Sequence, residues 1–183
     1  MVSFNVSFER ILPESKADVV ERLSEIAKFT FCDTFRHYEK SDIDAYLAKS
    51  LSVEALSREV AEPSNFFYFV NLDGATTGYL KWIFPSTVYL EHVDLKCERP
   101  LLLERFYFLP EYCGKGLAPV ALQFVQSFAQ HIAQADYLYL SVWEKNFRAQ
   151  RFYQKWGFRT LGCFDYPVGD VIDQEFLYGK RLT

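Results

Sequence analysis

A glycine-rich turn stands where an apolar run becomes a helical pattern, in the stretch FLPEYCGKGLAPVALQFV at residues 108–125. Gly114 and Gly116 allow backbone amides to approach a ligand without a Cβ in the way. The first N–H groups of a helix lack partners within it, so such a turn can bind an anion, and Lys115 can add a positive charge. The stretch fits neither the dinucleotide fingerprint GxGxxG nor the P-loop pattern. A plain tight turn therefore remains the alternative reading.

The N-terminal part of the chain predicts a strand, a broken helical stretch and a hairpin. VSFNVSFER, which starts at residue 2, alternates as a half-buried strand does. Three helical segments follow, with Ser41 and Ser52 as predicted N-caps of the second and third and Pro63 ending the third. Two aromatic runs flank Asp73-Gly74, which predicts a β-hairpin.

The C-terminal part alternates between strand and helix. RPLLLERFYFLP predicts a strand, and Pro119 restricts the start of the next helix to residues 116–118, with Val120 on its buried side. YLYLSVW predicts a strand, NFRAQRFYQKWG a helix that Gly157 ends, and the last segment two strands joined at residues 168–170. This order predicts a single α/β domain over residues 1–183, built on a mixed sheet.

Composition narrows the class of protein. The formal net charge of −4 gives no indication of nucleic-acid binding, and no apolar run reaches the length of a signal peptide or a membrane span. We expect no membrane association and a cytoplasmic location. The cysteines are scattered without a CxxC, which predicts reduced thiols and neither a metal site nor a disulfide framework. They are Cys32, Cys97, Cys113 and Cys163.

Two motifs carry a resemblance to a known family. FLPEYCGKGLA surrounds the glycine turn, and NFRAQRFYQKWGF at residues 146–158 fits Asn-x-x-Ala-x-x-Phe-Tyr-x-x-x-Gly-Phe without gaps. Together they resemble the GNAT superfamily of N-acetyltransferases. The resemblance implies a mixed, mostly antiparallel twisted sheet with helices on both faces and a splay between the fourth and fifth strands. It also implies acetyl-CoA as the acyl donor.

The resemblance assigns a set of residues to acetyl-CoA. Amides of residues 113–118 would hold the pyrophosphate, and backbone groups of the preceding strand would bind the pantetheine arm. Cys113 departs from the family, which usually has Gln or Arg there. The residues assigned to the cofactor are Phe106, Tyr107, Phe108, Tyr112, Cys113, Gly114, Lys115, Gly116, Leu117, Ala118, Asn146, Ala149, Phe152 and Tyr153.

Two residues are candidates for proton transfer. Glu104 interrupts an apolar strand and is the candidate base, acting through a water; the alternative is a strand glutamate paired with Arg105 or Lys81. Glu91 is a second candidate base. Tyr153 matches the family's general acid, which would protonate the leaving thiolate; the alternative is a core tyrosine.

The acceptor is expected to be a primary amine of a small molecule. The helical region resembles a bacterial branch that includes spermidine/spermine N-acetyltransferases, which makes a polyamine one hypothesis. Aromatic rings with acidic neighbours can hold an ammonium group. A non-catalytic acyl-CoA-binding protein and a protein or peptide N-acetyltransferase are the alternatives, and a homodimer is one expectation for the assembly. The candidate acceptor residues are Tyr38, Tyr46, Trp82 and Asp44.

Overall fold

The structure, a computed structural model, describes residues 5–168 and 171–182. The start of the predicted first strand and the link at residues 169–170 lie outside these ranges. Contacts divide the chain into two compact units: unit 1 comprises Met1–Trp82 and Arg105–Phe124, and unit 2 comprises Ile83–Glu104 and Val125–Thr183. The domain boundary at 1–183 stays a prediction.

The described part of the chain contains five α-helices and seven strands. The strand order in the sheet is β1-β2-β3-β4-β5-β7-β6. The β4–β5 pair is parallel, whereas β1–β2, β5–β7 and β6–β7 are antiparallel, as predicted for a mixed, mostly antiparallel sheet. The elements are β1 (Val6–Ile11), α1 (Ala17–Thr34), α2 (Lys40–Ser50), α3 (Val53–Ala61), β2 (Asn65–Leu72), β3 (Ala75–Ile83), β4 (Pro100–Phe108), α4 (Leu117–Ser127), β5 (Tyr137–Trp143), α5 (Phe147–Lys155), β6 (Arg159–Val168) and β7 (Val171–Arg181).

Unit 1 has helices on both faces of its strands. Leu23 of α1 and Leu56 of α3 are fully buried in one cluster with Phe69 of β2. On the other face, the ring of Phe124 in α4 stacks on that of Phe8 in β1, with 4.0 Å between centroids. Burial of these apolar side chains is the main source of stability for such an arrangement. The predicted placement of helices on both faces is confirmed here.

Turn and capping residues determine where several helices and strands of unit 1 begin and end. The hydroxyl of Ser52 accepts a hydrogen bond from the N–H of Ala55 at 3.2 Å, which confirms the predicted N-cap of α3. Asp73 and Gly74 both have positive φ angles, 50° and 85°, as a two-residue hairpin turn requires. These short-range interactions fix where the elements begin and end.

Two predictions about helices in unit 1 are wrong. α2 begins at Lys40 with Glu39 at the N-cap position, so Ser41 lies inside the first turn instead of capping it. Val120 in α4 is 39% exposed, although the apolar pattern predicted it to be buried. α4 buries Leu117 and Ala121 instead, and Val120 faces away from that side.

Unit 2 has an apolar cluster on one face of its strands. Leu102 of β4, Tyr139 of β5, Phe164 of β6 and Leu177 of β7 are buried together. Side chains of the segment between β3 and β4 pack against this cluster, among them Val93. This face therefore has an apolar centre and a covering segment.

No helix within residues 5–168 and 171–182 is both long and apolar enough to cross a membrane.

Candidate active site

The glycine turn lies in unit 1, between β4 and α4. Gly114 and Gly116 have φ angles of 82° and 81°, in the left-handed region that favours glycine. A Cβ built on either residue would have no heavy atom within 4 Å, so the backbone is open to an approaching phosphate. Leu117, the first residue of α4, is buried and anchors the start of the helix. The turn therefore leaves room for an anion beside its backbone at the start of α4.

Two amides of the turn donate hydrogen bonds within it. The N–H of Cys113 donates to the carbonyl of Pro110 at 3.1 Å, and the N–H of Lys115 donates to that of Tyr112 at 3.4 Å. The Lys115 ammonium also lies 4.9 Å from the centre of the Tyr112 ring, a cation–π contact. Within residues 113–118, the amides left for a phosphate are therefore those of Gly114, Gly116, Leu117 and Ala118.

The aromatic residues at the end of β4 alternate between the faces of the strand. The rings of Phe106 and Phe108 meet edge to face, with centroids 5.4 Å apart. Tyr107 points the other way and lies 5.8 Å from the Tyr79 ring. All three β4 residues are half-buried.

The parallel register of β4 with β5 is short. Within the described residues it covers Pro100–Leu102, although β4 continues to Phe108. This register agrees with the predicted splay between the fourth and fifth strands. Glu104 is half-buried and lies two residues beyond the last pair, in the part of β4 that the resemblance assigns to the reaction.

A carboxylate that the sequence did not single out holds two cations in unit 1. Glu59 of α3 accepts hydrogen bonds from Lys81 Nζ at 2.7 Å and from Arg105 Nη2 at 2.9 Å. Burial raises the pKa of Glu59, but the two cations outweigh burial and hold that pKa below its usual value. The two cations considered as alternative partners of Glu104 are thus paired with Glu59.

The second motif forms α5 in unit 2. The side chain of Asn146 accepts a hydrogen bond from the N–H of Ala149 at 3.1 Å and so caps the N-terminus of α5. Tyr153 is buried, with its ring edge to face on those of Phe152 and Phe158. Burial raises the pKa of the Tyr153 phenol, so the hydroxyl keeps its proton at neutral pH.

The candidate acceptor residues differ in exposure. Asp44 is exposed, and Tyr46 is half-buried with its ring stacked 4.2 Å from that of Phe31. Tyr38 is mostly buried. Trp82 is fully buried in unit 1, so it supports neighbouring rings and does not present a face to solvent. In this structure, Asp44 and Tyr46 are the more accessible of the four.

Glu175 of β7 is a second half-buried carboxylate that was not identified from the sequence. Burial raises the pKa of its carboxyl to about 7, while a hydrogen bond with Ser141 lowers it and the Asp173 carboxylate raises it further. The available signal was the alternation of VIDQEFL, which places Asp173 and Glu175 on the face of buried Leu177. Acidic residues at inward positions of a strand are unusual.

The structure contains four free thiols. Cys113 and Cys163 are exposed, and Cys32 and Cys97 are half-buried. In the described part of the chain, no three His, Cys, Asp or Glu side chains are grouped so as to hold a metal ion.

Comparison with known proteins identifies the protein family. Residues 21–158 match the model of the acetyltransferase (GNAT) family. An "Uncharacterized N-acetyltransferase in pepI 3'region" of Lactobacillus delbrueckii subsp. lactis is 30% identical over 95% of this chain and 98% of its own length. The spermine/spermidine N(1)-acetyltransferase of Bacillus subtilis is 36% identical over 40% of this chain and 48% of its own length. The crystal structure of PaiA N-acetyltransferase from Thermoplasma acidophilum in complex with coenzyme A has a TM-score of 0.73, with 18% identity, over 97% of this chain and 99% of that one.

The family match covers most of the chain, and the structural likeness shows the same fold. The chain belongs to the acetyltransferase (GNAT) family. It is an acyl-CoA-dependent N-acetyltransferase, with acetyl-CoA as co-substrate.

Proposed function

We propose that this protein transfers an acetyl group to a primary amine of a small molecule, and that a polyamine such as spermidine is the acceptor to test first. The observation that carries the proposal is the open glycine turn at the start of α4, with Gly114 and Gly116 at positive φ. Bound acetyl-CoA supplies a thioester as the activated acyl group.

The turn would hold the diphosphate of the donor. Amides of Gly114, Gly116 and Leu117 lie at the positive end of the α4 dipole, where an anion is stabilised. The Lys115 ammonium adds an attractive charge at the exposed side of the turn. Backbone groups of Phe106 and Phe108 would bind the pantetheine arm in the manner of an added strand.

Tyr153 would protonate the leaving thiolate. Its phenol is protonated at neutral pH, and burial raises its pKa further above the ordinary value. A proton donor in a dry environment need only give up its proton as negative charge develops on the sulfur. Asn146 would fix the start of α5 and so the position of Tyr153 on that helix.

Glu104 would act as a base through a water. An alkylamine has a pKa of about 10.4 and is protonated at neutral pH, so the nitrogen must lose protons before an amide can form. Glu104 is a half-buried carboxylate on a strand whose other residues, apart from Arg105, are apolar or aromatic. Such a group can hold a water and take a proton through it.

The acceptor class follows from similarity and from accessible side chains. The partial similarity to a spermine/spermidine N(1)-acetyltransferase supports a polyamine. Tyr46 and Asp44 on α2 provide a ring and a carboxylate that are at least partly accessible and can attract an ammonium group. Tyr38 would support this region from its buried position, and Trp82 would act only through the rings around it.

The proposal is tested with the purified chain, acetyl-CoA and a panel of spermidine, spermine, an amino acid, an aminoglycoside and a peptide with a free N-terminus. Products are identified by mass, because the protein's own thiols react with thiol dyes. Acetylated spermidine or spermine above a no-amine control supports the proposal. Acetylation of the peptide alone would overturn the acceptor class, and coenzyme A binding without any product would favour a binding protein.

A further inference from the structure

Gly78 of β3 leaves room for the backbone at the end of β4, within unit 1. The residue is buried, and its φ angle lies outside the left-handed region, so its conformation alone does not require glycine. A Cβ built on Gly78 would overlap the carbonyl oxygen of Tyr107 and lie 2.9 Å from Cα of Phe108. Both are backbone atoms, which cannot rotate away as a side chain can. A glycine inside a strand is typical of such a close approach by another backbone.

The overlap shows that β4 bends at this point. In a regular sheet, side chains stand out from the two faces and do not meet the backbone of the neighbouring strand. A side chain would then fit at position 78. Because a Cβ there would meet Tyr107 and Phe108, the end of β4 must lean over one face of β3. These residues belong to the stretch of β4 to which the proposed function assigns the pantetheine arm.

Thr77, the residue before Gly78, ties the end of β4 to β3. The N–H of Leu109 donates a hydrogen bond to the carbonyl of Thr77 at 2.8 Å, and the carbonyl of Leu109 accepts one from the N–H of Tyr112 at 2.9 Å. The hydroxyl of Thr77 is buried and donates to the carbonyl of Val70 in β2 at 2.9 Å. A line of hydrogen bonds therefore joins β2 and β3 to the start of the glycine turn.

The position of this backbone matters for a ligand that binds as an added strand. Backbone hydrogen bonds weaken steeply when the distance or angle departs from a narrow range. The reacting thioester stands at the end of the pantetheine arm, and a displacement of about 1 Å can lower a reaction rate about 100-fold. A residue that fixes the end of β4 therefore affects both the binding of the arm and the placement of the thioester.

We propose that Gly78 is a positioning residue for acetyl-CoA. The lack of a side chain at Gly78, together with the hydrogen bond from Leu109 to Thr77, sets the end of β4 where the pantetheine arm binds. This inference rests on the proposed function, in which backbone groups of Phe106 and Phe108 bind that arm. Gly78 acts through β4 and not by contact with the donor, so its effect should be confined to the arm and the thioester.

The test compares Gly78→Ala with Gly179→Ala. Gly179 of β7 is also a buried strand glycine, and it lies in unit 2. A Cβ built on it would lie 2.5 Å from Cε1 of Tyr137 and 2.7 Å from Cδ1 of Leu161, which are side-chain atoms. Both substitutions should lower the temperature of thermal unfolding. Only Gly78→Ala should displace the end of β4.

Binding is measured by calorimetry with coenzyme A and with phosphoadenosine diphosphate, the nucleotide part of coenzyme A without the pantetheine arm. We expect Gly78→Ala to weaken coenzyme A binding by about tenfold or more, from the loss of one or two hydrogen bonds, and to leave the affinity for the nucleotide part unchanged. Gly179→Ala should match the wild type with both ligands. With the best amine of the panel, Gly78→Ala should raise KM for acetyl-CoA and lower kcat, while KM for the amine stays the same.

A second pair of variants decides if Gly78→Ala does not fold. Leu109 has a φ of −60°, which proline adopts, so Leu109→Pro removes the N–H that donates to Thr77 without changing that angle. Leu109→Ala shortens the same side chain and keeps the N–H. We expect coenzyme A to bind Leu109→Pro more weakly than Leu109→Ala, with equal affinities for the nucleotide part. Equal coenzyme A affinities in these two variants would overturn the inference.

Other results overturn it in distinguishable ways. Unchanged coenzyme A affinity in folded Gly78→Ala, an equal loss with the nucleotide part, or the same loss in Gly179→Ala would exclude Gly78 and leave the acetyl transfer standing. A wild type that binds coenzyme A no more tightly than its nucleotide part would overturn the proposed contact between β4 and the arm, and this inference with it. Acetylation of no amine in the panel would overturn the acceptor class alone, because the binding measurements use no amine.

Discussion

The ammonium of Lys81 lies 2.7 Å from the carboxylate of Glu59 and donates a hydrogen bond to it. The Lys81 side chain is only 5% exposed, and Arg105, the second partner of Glu59, is 11% exposed. Two nearly buried cations therefore share one carboxylate of α3. Removing that carboxylate leaves both of them without their shared counter-charge.

Glu59→Gln is expected to lower the free energy of unfolding by about 2 kcal/mol at pH 7, less than for a fully buried pair because the Glu59 side chain is 26% exposed. Since the two cations lower the pKa of Glu59, its contribution is present above the unfolded value of 4.5 and is lost as pH falls. Urea unfolding at pH 7 and at acid pH measures this difference. Glu62→Gln, at an exposed position just after the same helix, is the control and should change little.

A matched pair of variants can distinguish a role of the glycine turn in phosphate binding from ordinary backbone strain. Gly116→Ala and Gly74→Ala both place an alanine at a positive φ, 81° and 85°, with open space around the new Cβ. Each should lose about 1 kcal/mol of stability. Only Gly116→Ala should also weaken coenzyme A binding, by about tenfold or more, because its Cβ enters the space of the phosphate. Equal affinities of the two variants in calorimetry would contradict a phosphate site at the turn.

Glu175 should make the protein less stable as the solution becomes more alkaline. Its pKa is about 7 in the folded chain and 4.5 in the unfolded reference, so the folded state holds the proton between these values and stability falls with rising pH. Glu175→Gln should therefore be more stable than the wild type by about 1–3 kcal/mol at pH 8. The two proteins should converge near pH 4.5. Thermal unfolding across pH measures the effect, and a constant difference would show that Glu175 is not the titrating group.

Local signals in the sequence predicted much of the fold and the glycine turn. Positive φ angles at Asp73-Gly74, Gly114 and Gly116 follow from the residues themselves, because few others adopt that backbone without strain. The side-chain cap of Asn146 is likewise a contact within one turn of helix. Such features need no knowledge of the rest of the chain.

Features that depend on distant residues were not predictable in this way. Glu59 is identified only when β3 and β4 bring Lys81 and Arg105 beside α3. Val120 was assigned to the buried side from its apolar character, but the direction in which α4 faces decides its exposure. The environment of Glu175 depends on the register of β7 against β5, which the spacing of residues does not specify.

Tyr153 provides the most direct test of acetyl transfer by this chain. The measurement is kcat for acetylated amine, read by mass, in the wild type, Tyr153→Phe and Tyr178→Phe. Tyr178 is a matched control, because it is also a buried tyrosine of unit 2, with its hydroxyl accepting a hydrogen bond from Gln154 at 3.2 Å.

We expect Tyr153→Phe to lower kcat by about 100-fold or more with unchanged coenzyme A affinity, while Tyr178→Phe keeps nearly all activity. Equal rates in the wild type and Tyr153→Phe would contradict Tyr153 as the proton donor. Absence of product from the wild type with every amine would contradict the proposed transfer to a small-molecule amine.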